Sequence, residues 1–63
     1  MILNNHNMGQ ITLQLANEEI KSLQEQFNTL ADAYAITSEP VLLAGMIKRQ
    51  ASIQAIITQI SNL

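Results

Sequence analysis

Sixty-three residues with five Asp plus Glu, three Lys plus Arg, one His and no Cys give a formal charge of −2 and bound a single domain without a disulfide framework. The hydrophobic share of 48% is ordinary, but the 13% charged residues are about half the usual proportion. The acidic balance leaves no basic footprint for a phosphate backbone, which disfavours nucleic acid, and the apolar run Val41–Ile47 stops at Lys48 and Arg49, well short of a membrane span.

A chain of this size buries only about 60% of the surface its unfolded form exposes. Small scaffolds compensate with disulfides, a structural metal or self-association. With no Cys and a lone His6, association is the device left. Thirteen Asn and Gln residues cover part of the uncharged surface, and contact with a partner is expected to cover the rest.

In chain order, residues 1–9 show no periodicity and hold Asn4, Asn5, Asn7 and Gly9, which predicts a flexible arm. Met1-Ile2-Leu3 is too short for the apolar core of an export signal and has no basic flank, so a cytoplasmic setting is expected. From Leu13 the apolar residues Leu13, Ala16, Ile20, Leu23, Phe27, Leu30 and Tyr34 recur at alternating steps of three and four, a heptad seam on one helix. Asn17-Glu18-Glu19 places a capping residue and two acids at a second possible helix start. Ile11, Leu13 and Leu15 alternate as a strand would, so residues 10–16 read as helix or strand.

The break is expected at Ala35 to Ser38, where Thr37 or Ser38 caps a new helix, Glu39 suits its positive end and Pro40 fits its first turn. The second seam runs Leu42, Met46, Arg49, Ile53, Ile56, Ile60 and Leu63, with Leu43 and Ile57 widening the stripe. Gly45 weakens this helix by about 1 kcal/mol relative to Ala and marks a close helix contact. The fold class is thus all-α, an antiparallel two-helix hairpin over about 10–35 and 38–62, within a domain spanning 10–63. Dimerisation or partner binding would complete a helical bundle. Folding at Ile36 and Thr37 pairs positions whose numbers sum to about 73. Leu30 then meets Leu43, Phe27 meets Met46, Ile20 meets Ile53, Ala16 meets Ile57, Leu13 meets Ile60, and Glu25 lies opposite Lys48 and Arg49.

Chemistry finds little to stand on. His6 has no second His, no Cys and no nearby acid to complete a metal site. Glu18 and Glu19 point about 100° apart on a helix and cannot share a substrate; they read as charges near the positive end of the helix dipole. No Ser or Cys sits beside an oriented base, and Gly9 and Gly45 do not form a phosphate loop. We therefore expect no catalytic, metal or cofactor site.

Arg49 interrupts an apolar seam, either as a device that sets register and partner choice or as a long stem whose guanidinium reaches water or Glu25. From Gln50 to Leu63 the helix carries no charge, so either a partner encloses it or its Gln-rich face is simply solvated. Ile11, Leu15, Ile36 and Ile47 fall off the seam, which favours enclosure. The partner and core residues are Leu13, Ile20, Leu23, Phe27, Leu30, Leu43, Met46, Ile47, Arg49, Ile53, Ile56, Ile57, Ile60 and Leu63. The partner is expected to be protein, either a second copy or a larger helical protein.

Two resemblances accompany this reading. Over residues 13–62, Glu39-Pro40, Leu43, Ile53, Ile56-Ile57 and Ile60 resemble the small helical-hairpin co-chaperones of type III secretion needle subunits. That likeness implies a bacterial cytoplasmic protein that docks on a larger helical-repeat chaperone and helps hold a needle subunit unpolymerised. Residues 10–15 followed by Asn17-Glu18-Glu19 resemble the strand and first helix of ribbon-helix-helix repressors, in which Gln10, Thr12 and Gln14 would read base edges.

Overall fold

The computed structural model of the chain describes residues 2–62, with side chains from Gln10 onward. Two helices, α1 (Ile2–Thr37) and α2 (Pro40–Ser61), pack antiparallel as a hairpin of 54 × 16 × 11 Å. The all-α hairpin is therefore the fold, and no strand occurs among the described residues. Met1, Leu63 and the side chains of residues 2–9, His6 included, lie outside the described residues, and the division expected at residue 9 falls within α1.

α1 starts at Ile2 and not at Gln10 or Asn17. No Pro interrupts this stretch, and Gly9 alone costs about 1 kcal/mol, which a long helix absorbs. Residues 10–15 lie inside α1, which corrects the strand alternative. The alternation of Ile11, Leu13 and Leu15 is overridden because Leu13 also belongs to the heptad series that continues through Tyr34.

The turn is built by four residues. Ser38 takes a left-handed backbone, φ 56°, and its N–H donates to the Tyr34 carbonyl at 2.8 Å, closing the end of α1. Pro40 pushes Glu39 into extended geometry, φ −75° and ψ 123°, and occupies the first turn of α2, where no N–H is needed. The Thr37 hydroxyl donates to the Ala33 carbonyl at 3.0 Å and accepts the Glu39 N–H at 3.3 Å. Glu39 thus holds the position that begins α2, without a side-chain cap, where Thr37 or Ser38 was expected. The carbonyl of Glu39 accepts the Leu42 N–H at 3.0 Å.

Because α1 runs to Thr37, the hairpin closes later than expected and the register shifts. A Cβ built on Gly45 would lie 3.1 Å from Leu30 Cδ1, and Arg49 Nε donates to Gln26 Oε1 at 3.3 Å. In both pairs the residue numbers add to 75, two above the sequence expectation of about 73. Leu30 therefore meets Gly45, not Leu43, while Phe27 and Met46, also expected as partners, line one groove. This register sets Ser61 opposite Gln14, so most of the first dozen residues of α1 extend beyond the end of α2.

The core is thin. Ile53 is the one buried side chain among the described residues, at 7% exposure, while Ala16, Ile20, Leu23, Phe27, Leu30, Tyr34, Leu42, Met46, Arg49, Ile56 and Ile60 are half-buried. The two seams read from the sequence are thus the faces that meet, apart from Leu13, which is exposed. Leu13 stands near the end of α2, where little of that helix remains to cover it.

Candidate interaction surface

Seen along the hairpin, two edges flank the seam, and they differ in chemistry. On one, Arg49 lays its stem across the half-buried seam. Its guanidinium donates to Gln26 Oε1 at 3.3 Å and to the Gly45 carbonyl at 3.4 Å. The stem reading of Arg49 is the geometry observed, with Gln26 as the acceptor in place of the expected Glu25. Gly45 makes this possible, since without a side chain it admits both Leu30 and the Arg49 guanidinium. Leu23, Gln26, Lys48, Arg49 and Ser52 line a shallow depression of about 200 Å³ there.

The opposite edge is apolar and open. Phe27 of α1 and Leu43, Met46, Ile47, Gln50, Ala51 and Gln54 of α2 line a groove of about 410 Å³ whose accessible wall is almost entirely carbon. Ile47 is 64% exposed, Leu43 41% and Ile57 39%. The spacing explains the shape. Leu43, Gln50 and Ile57 stand one position beyond Leu42, Arg49 and Ile56 and seven residues apart, so they form a single row beside the seam. Ile47 and Gln54 form the next row out. No charged side chain lines this groove, and a second depression of about 560 Å³ continues it past Gln24, Asn28, Ile53 and Ile57.

Three hydroxyls of α2 are committed to its own backbone. The hydroxyls of Ser52, Thr58 and Ser61 donate to the carbonyls of Lys48, Gln54 and Ile57 at 3.1, 3.0 and 2.8 Å. Such hydroxyls need little from water.

The structure brings together most residues expected at the interface and separates a few. Ile20, Leu23, Phe27, Leu30, Met46, Arg49, Ile53, Ile56 and Ile60 share the seam between the helices. Leu43 and Ile57, expected to widen the apolar stripe, are exposed beside the seam, one position beyond the half-buried Leu42 and Ile56. Ile47 was expected off the seam and is so, as are Ile11, Leu15 and Ile36, all exposed. Leu63 lies outside the described residues. Sequence reasoning missed that Phe27, Met46 and Ile47 share one groove with Gln50 and Gln54. The signal was present in the seven-residue spacing of Leu43, Gln50 and Ile57.

Among the described residues, no group of three or more His, Cys, Asp or Glu could hold a metal ion, and no helix is long and apolar enough to cross a membrane. No family model matches the chain, and neither a curated protein nor a solved structure matches it.

Proposed function

We propose that this chain is a non-catalytic protein–protein interaction module, adaptor-like or co-chaperone-like, acting in the cytoplasm through the open apolar edge of its hairpin. The observation that carries the reading is the charge-free groove of Phe27, Leu43, Met46 and Ile47 beside a core with one buried side chain. Exposed, clustered apolar side chains on a small domain mark an interaction site, and a thin core gains stability when a partner covers them. A ribbon-helix-helix mode finds no support, because residues 10–15 are helical.

The test places a charge on the edge without touching the seam. Ile47→Lys should retain the helical circular dichroism of the native chain. It should also lose the fluorescence gain that an environment-sensitive apolar dye shows on binding the groove, and weaken any protein complex at least tenfold. Dye binding and complex formation that survive Ile47→Lys would remove this edge from the function.

A further inference from the structure

We draw no further inference here: the strongest candidate, the open apolar groove of Phe27, Leu43, Met46 and Ile47 on the edge opposite Arg49, carries nothing beyond the reading above, because nothing in the structure shows what covers it.

Discussion

The two edges of this hairpin flank the same seam and are built from the same two helices, yet one is closed and the other open. On the Arg49 edge, Gly45 and Ser52 keep the flank of α2 low, and the guanidinium ties Gln26 to the Gly45 carbonyl. On the opposite edge, Leu43, Ile47 and Ile57 raise an apolar ridge that α1 does not cover. A heptad seam fixes which faces meet. The residues one step outside it decide whether the assembly is finished.

The strongest way to break the comparison is to remove the floor both edges share. Ile53→Asp would place a charge at the one buried side chain, and burying an unpaired carboxylate costs several kcal/mol, about 3 or more here. Helical circular dichroism at 25 °C should collapse; a variant that keeps its ellipticity would show that Ile53 is not the centre of the packing. Next is Gly45→Leu, which strikes the closed edge alone. A Cβ would already stand 3.1 Å from Leu30 Cδ1, so the larger side chain must push the helices apart, at about 1–3 kcal/mol. The thermal midpoint should fall, and an unchanged midpoint would refute the close approach.

Ser38→Gly acts on the turn that sets both edges in register. A non-glycine residue at φ 56° carries a steric cost of about 1–2 kcal/mol, which glycine lacks. Offset in part by the greater freedom of glycine in the unfolded chain, the variant should gain up to about 1 kcal/mol in urea denaturation. A loss would mean that the Ser38 conformation is not strained. The smallest effect is expected from Arg49→Leu, which makes the closed edge resemble the open one. Gln26 is exposed and recovers its hydrogen bond from water, while the seam gains apolar surface, so stability should rise by about 0.5 kcal/mol. A loss exceeding about 1 kcal/mol would show the guanidinium contacts to be structurally required.

The register error shows how a local reading goes wrong while its larger frame holds. Apolar spacing identified the faces of α1 and α2 correctly, because a step of three or four places side chains on one side of any helix, whatever the turn does. It did not identify every pairing. Extending α1 by two residues, to Thr37, exchanged Leu43 for Gly45 opposite Leu30 and Glu25 for Gln26 beside Arg49. Gly45 was legible as a close contact, since glycine inside a helix is costly unless something approaches it. Its neighbour was not.

The sequence by itself determined that the chain is helical, that it breaks before Pro40, that Ile53 and its heptad neighbours face inward, and that Ile11, Leu15, Ile36 and Ile47 do not. These follow from short-range geometry, three or four residues at a time. Only the tertiary structure decided that Leu43 and Ile57 lie outside the seam, that Arg49 closes one edge, and that Phe27, Met46 and Ile47 share a groove on the other. Those outcomes depend on where the second helix comes to rest against the first. That position was set by a left-handed Ser38 that no periodicity announces.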